Sequence, residues 1–465
     1  MQIPILSGIY TDQNSDFRTS YPRNMIPVPK EHGISQGYLR PAEGVEQFSE
    51  LLAIDRGGIE WKGVCYRVCG NKFIKVDDKG VVTEIGDVMG YGQCNFDYSF
   101  DHLAINSYPH MYLYDGEELK QITDNDLGVV LDVTWVDGYF MTTDGEFIVV
   151  TELNDPFQVN PLKYGSSEAD PDPIKALIKV RNEVYALNRY TIEIFDNVGG
   201  ENFPFARIDG ALATKGSLGT KTCCKFSEAV AFLGGGKNEP VALWISANGS
   251  TNKISTREIE QIIHQYDEKT LSDCLIESRL IDGHNWLYLH LPDQTLVYDS
   301  AATEATQQPV WFTLGSGLVQ SQYLAQNFVW CYGKWIVGHP NQAKLGVFTN
   351  SKGDHWGDVV SWEFGTTILY NESRGAIFHQ VELACLTGRV EFNKDPTIST
   401  QYSLDGVNWS NPKLIKSGRS GDLNKRLVWL QQGYMNNWRI QKFSGTSDSR
   451  LTVARLEVQI EPLRV

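Results

Sequence analysis

Short alternating runs of strand-forming residues, each stopped by a tight-turn dipeptide, fill the first 365 residues and restrict the chain to an all-β fold. Val133-Thr134-Trp135-Val136 and Tyr139-Phe140-Met141 flank Asp137-Gly138, and Asp144-Gly145 then leads into Glu146-Phe147-Ile148-Val149-Val150. Asp-Gly suits these places because a two-residue hairpin turn demands positive φ. Leu177-Ile178-Lys179-Val180, Glu183-Val184-Tyr185-Ala186-Leu187 and Thr191-Ile192-Glu193-Ile194-Phe195 form another meander around Arg181-Asn182.

A weak internal repeat overlies this pattern. Tyr114-Asp115-Gly116, Phe195-Asp196-Asn197 and Tyr298-Asp299-Ser300 each close a strand with an aromatic residue, an aspartate and a turn residue. The aspartates lie 81 and 103 residues apart. Each gap spans two units of roughly 40 to 50 residues, the size of a four-stranded propeller blade. The 42 glycines and 12 tryptophans suit sheets that pack face to face on large flat side chains. The prediction is a β-propeller; a plain β-sandwich with ordinary Tyr-Asp turns is the competing architecture.

A short helical insertion is predicted near 255–280. Ser255 and Glu258 read as a capping box, followed by Ile259, Ile262, Ile263 and Tyr266 at helical spacing, and Thr270-Leu271-Ser272-Asp273 as a second cap. From residue 366 the character changes to long strand runs, such as Phe378 to Cys385 and Leu451 to Val458. A hairpin, Tyr402 to Ser410, places Trp409 over its turn. The formal charge of −16 divides into −20 before residue 370 and +4 from there to the end. We therefore expect three parts: an extended N-terminal arm over 1–36, a β-propeller over 37–365 and a C-terminal β-sandwich over 366–465. The arm, with three prolines in Tyr21 to Pro29 and no periodicity, should gain order only by packing on this chain or another.

The net negative charge argues against a protein built to grip nucleic-acid phosphates or an anionic membrane. No basic n-region or apolar h-region opens the sequence and no long apolar window follows, so a soluble chain made in the cytoplasm is expected. Cys65 and Cys69 share a strand face without any zinc-spaced partner, and Cys223-Cys224 point to opposite faces; all read as reduced core thiols. The nine histidines are dispersed, and His284 reads as a turn residue. No Gly-x-Ser-x-Gly elbow occurs, and Gly234-Gly235-Gly236-Lys237 lacks the Ser or Thr of a phosphate loop. Asp124-Asn125-Asp126 and Asp170-Pro171-Asp172 supply too few oxygens for an EF-type calcium loop. No catalytic residue, metal or cofactor is assigned.

Several ordered blocks carry a resemblance. They are Arg23-Asn24-Met25, Gly37-Tyr38-Leu39-Arg40-Pro41-Ala42-Glu43-Gly44, Tyr66-Arg67-Val68-Cys69-Gly70 with Lys72 and Lys75, Ile254 to Ile263, His290-Leu291-Pro292, Leu296-Val297-Tyr298-Asp299 and Lys425-Arg426-Leu427-Val428-Trp429. Together they resemble the tail hub, or packaged DNA stabilization, proteins of short-tailed bacteriophages. That resemblance implies a virion protein with a propeller and a sandwich, six copies forming a ring below the portal and its adaptor. It further implies closure of the DNA channel around packaged double-stranded DNA without sequence-specific binding, seating of a tail needle, attachment of tailspikes, and no cofactor. Lys425, Arg426 and Trp429 are the candidate subunit- or adaptor-docking residues. Six copies carry about −96, enough for a channel wall that repels the DNA backbone. The alternative function is a propeller enzyme or lectin acting on host surface glycan.

Overall fold

The computed structural model describes residues 2–6, 8–11, 17–30, 37–200, 202–371 and 374–463. It divides into two compact units, one of residues 47–291 and 324–347, the other of 1–46, 292–323 and 348–465.

The first unit is a propeller, and its ring closes on seven innermost strands. These are Asp55–Trp61, Asn95–Tyr98, Asp132–Val136, Ile174–Val180, Cys223–Phe226, Leu275–Ile281 and Gln326–Cys331. Each lies beside the next, and the last lies beside the first. The strands head blades one to seven. Blades one to four are four-stranded antiparallel meanders, and blade five has five strands. Asp115 and Asp196 stand at the ends of the third strands of blades two and four, so the 81-residue repeat counts two blades. The Asp137-Gly138 turn has φ of 48° and 90°, as its residue types require.

The propeller's core lies between blades. Trp61, Tyr66, Phe73 and Tyr114 pack between blades one and two with ring centroids 5.3 to 6.1 Å apart. Cys65 and Cys69 lie on one face against Cys331 and Ile336, between blades one and seven. All eight cysteines are free, and burial pushes the Cys65 thiol up to about 11. Gly234 is needed for a close approach, since a Cβ there would sit 1.8 Å from the Gly216 carbonyl oxygen.

Two helices, Arg257–Ile263 and Glu268–Ser272, lie between blades five and six. The first is capped by Thr256 rather than Ser255, which corrects the predicted capping box. Ser255 is diverted: its hydroxyl accepts from Leu243 N and donates to Glu260 Oε1. Asp267, outside the predicted Thr270–Asp273 cap, starts the second helix by accepting from Thr270 N.

The second unit holds the sandwich. One sheet runs Met25–Pro29, Gly37–Pro41, Thr452–Pro462, Ala376–Leu386 and Leu427–Leu430; the other runs Ser361–Gly365, Trp438–Thr446, Thr397–Ser403 and Lys413–Lys416. Between them lie Trp362, Phe364, Phe378, Trp429, Phe443 and Leu456. Part of the predicted arm is thus sheet. Met25–Pro29 pairs with Gly37–Pro41, a strand the sequence assigns to the propeller, and Leu39 is fully buried in the sandwich core. Residues 1, 7, 12–16 and 31–36 of the arm lie outside the described residues. This unit also contains the hairpin Thr295–Asp299 and Val310–Leu314 with a helix, Ser300–Thr306, between its strands. Asp299 caps that helix by accepting from Ala302 N at 3.0 Å, a role its strand-end motif did not announce.

Candidate functional site

The three residues singled out by sequence do not form one surface. Arg426 is exposed and makes a two-point ion pair with Glu382, at 2.8 and 2.6 Å. That pairing holds the Glu382 carboxyl below its ordinary range. Lys425 is half-buried beside it. Trp429 is 2% exposed in the sandwich core, with its indole N–H donated to the Lys413 carbonyl at 2.9 Å. Alternation explains the division: Leu427 and Trp429 point inward, whereas Arg426 and Leu430 point outward. The Trp429 bond also ties together two sheet-edge strands, Lys413–Lys416 and Leu427–Leu430.

A second constellation, invisible to motif reading, surrounds the propeller axis. Lys221 lies two residues before the inner strand of blade five, yet it donates to the Cys94 carbonyl at 2.5 Å and to the Asn95 side-chain oxygen, at the head of blade two. Blades two and five are as far apart as a seven-membered ring allows, so this side chain crosses the axis. Asn95 Nδ2 donates to Asp132 Oδ1 at 2.7 Å, and Asp132 Oδ2 accepts from Leu177 N at 2.8 Å, linking blades two, three and four. Glu277 of blade six accepts from Asn327 N and Phe328 N of blade seven at 2.9 and 2.7 Å. Asn327 Nδ2 in turn donates to Asp55 of blade one at 2.8 Å. Asp55 holds the fully buried Arg67 through two 2.7 Å bonds, and Arg67 also donates to the Asn327 carbonyl.

Two backbone bonds extend the circuit, Cys94 N to Arg56 O and Ile276 N to Lys221 O. Blades four and five join through apolar contact of Ala176 and Val180 with Cys223 and Phe232. Burial raises Asp132 to about 7, while the facing Lys221 opposes that rise. Lys221 is half-buried by area, and its desolvation lowers its pKa. These groups are engaged with the chain's own N–H and C=O, so their chemistry is mechanical: they fix the blades around the axis.

The N-terminal block Arg23-Asn24-Met25 is a staple within the second unit. Asn24 Nδ2 donates to the carbonyls of Gly315 and Ser361, its Oδ1 accepts from Gly315 N, and its φ is +54°. Arg23 and Glu363 exchange backbone bonds at 2.8 and 3.1 Å. The blocks that looked familiar as sequence, Arg23-Asn24-Met25 and Tyr66-Arg67-Val68-Cys69-Gly70, are therefore the joints of the fold.

Two family models cover nearly the whole chain: the Bacteriophage P22 Gp10 β-propeller over residues 1–353 and the Bacteriophage P22 Gp10 β-sandwich over 361–461. The chain belongs to the P22 Gp10 family. Among curated proteins it is similar to the "Tail hub protein gp10" of Salmonella phage P22, 26% identical across 99% of both chains. Among solved structures it is similar to the Neurospora crassa Pan2 WD40 domain, with a TM-score of 0.44, 10% identity, and 65% of this chain and 94% of that one covered. It is also similar to the N-terminal domain of Nup159, with a TM-score of 0.42, 10% identity, and 69% and 97% covered. Membership in the family accounts for the all-β propeller and sandwich. Among the described residues, no helix is long and apolar enough to cross a membrane.

Proposed function

We propose that this protein is the hub of a short bacteriophage tail, a structural component of the virion. The observation that carries this reading is the end-to-end match, 99% of both chains, to a protein named as a tail hub, with both family domains in order. Six copies form a ring beneath the portal and its adaptor. The ring closes the channel on packaged double-stranded DNA, seats the tail needle and anchors the tailspikes. Head-to-tail contacts close such a cyclic ring, because two-fold contacts stop at dimers. An acidic chain suits a conduit that holds DNA without adhering to it. The role is one of assembly, and no catalytic residue is assigned. Electron microscopy of isolated tails tests the reading: a six-fold ring that binds antibody against this chain is the expected result. A tail lacking this chain, or holding it outside any ring, would overturn it.

A further inference from the structure

The +4 surplus of the C-terminal region comes from one short stretch. Residues 411–426 hold Lys413, Lys416, Arg419, Lys425 and Arg426 against a single acid, Asp422, and the remainder of 370–465 is charge-balanced. Neighbouring carboxylates neutralise part of this. Lys416 and Arg419 share Asp395 at 2.6 and 3.6 Å, and Arg426 takes Glu382. Lys413 instead donates to the Gln431 carbonyl, and neither Lys413 nor Lys425 makes an ion pair among the described residues. Two cations are left over, on the side of the sandwich where two edge strands meet. Leu414 and Leu430, 63% and 64% exposed, stand on those same edges, and Leu423, 65% exposed, lies two residues before Lys425. Paired apolar and cationic side chains on an open sheet edge make a surface that rejects cationic neighbours and fits an acidic one.

The acidic complement is in the chain itself. The outer edge of blade two, residues 115–126, carries Asp115, Glu117, Glu118, Asp124 and Asp126 against Lys120 alone. All of these acids except Asp124 are exposed, and Glu117 and Asp126 make no ion pair among the described residues. The outermost strand there, Leu119–Gln121, is also a free sheet edge. We infer that the sandwich edge around Lys413 and Lys425 docks on the acidic outer edge of blade two in a second copy of this chain. The contact is heterologous, one patch against a different patch, as ring closure requires. The inference rests on the proposed ring and adds the surface that closes it.

The test uses full-length protein assembled into tails. Zero-length carboxylate–amine coupling, with light and heavy isotope-labelled copies mixed, should join Lys413 or Lys425 of one copy to Glu117 or Asp126 of another. Lys413→Glu with Lys425→Glu should lower ring yield about tenfold at physiological salt, and adding Glu117→Lys with Asp126→Lys should restore it. Rings formed by the double reversal at wild-type yield would overturn the inference while leaving the hub reading intact. Cross-links running instead to a different virion protein would also overturn it. Absence of any ring from wild-type tails would sink the hub reading itself.

Discussion

Replacing Lys221 by methionine removes a charge from the propeller axis while keeping an unbranched stem. Two acceptors then lose their donor, the Cys94 carbonyl at 2.5 Å and the Asn95 side-chain oxygen. Asp132, which Asn95 holds at 2.7 Å, loses its facing cation. A hydrogen bond donated by a charged group contributes about 1.5–3 kcal/mol, and Lys221 donates two. Lys221 is half-buried, so solvent recovers part of that and the expected loss is about 2–3 kcal/mol. A two-unit chain need not unfold in one step, so the loss is best read locally, by hydrogen exchange at the blade junctions. The amides of Cys94, Leu177 and Ile276, each bonded across a junction, should exchange roughly 30- to 150-fold faster. Amides in the sandwich, such as Phe443, should be unaffected. Unchanged exchange at all three junction amides would refute the argument that Lys221 locks the ring.

Four further outcomes are expected. Burial raises the Asp132 carboxyl from just under 4 to about 7, so the folded state binds its proton more tightly than the unfolded chain. That contribution to stability is complete below about pH 4 and is lost as pH rises through about 7, with a slope of at most about 1.4 kcal/mol per pH unit. Asp132→Asn should flatten the urea midpoint of the propeller between pH 4 and 7; a slope equal to wild type would exclude Asp132 as its source. Arg67→Met leaves Asp55 buried without its cation and should cost about 3–5 kcal/mol, measured as a fall in the propeller's urea midpoint. Gly234→Ala drives a Cβ to 1.8 Å from the Gly216 carbonyl oxygen and should cost at least about 2 kcal/mol, seen as a drop in melting temperature. Arg426→Ala should change sandwich stability by under about 1 kcal/mol, because its ion pair is solvated, whereas Trp429→Ala should cost about 3–5 kcal/mol. Equal effects of those two substitutions would contradict the assignment of Trp429 to the core.

Sequence by itself determined whatever is local in the chain. The Asp137-Gly138 hairpin, the 174–197 meander and the shared face of Cys65 and Cys69 follow from backbone conformation and a two-residue period, which neighbours in sequence decide. Spacing of the aromatic-Asp motifs also carried the blade length, since each blade is one contiguous meander. Trp429 was legible too, because strict alternation with Arg426 and Leu430 puts it inside, although its adjacency to basic residues drew it toward the surface. Tertiary structure alone decided the number of blades, which depends on how a ring closes rather than on any one repeat. It alone turned Asn24 and Arg67 into joints, by placing partners 291 and 260 residues away within hydrogen-bond reach. Lys221 shows the limit most plainly. As sequence it is one lysine in a threonine-flanked turn. Its partners stand 126 and 127 residues earlier, and only closure of the seven-bladed ring brings their oxygens within reach of its ammonium.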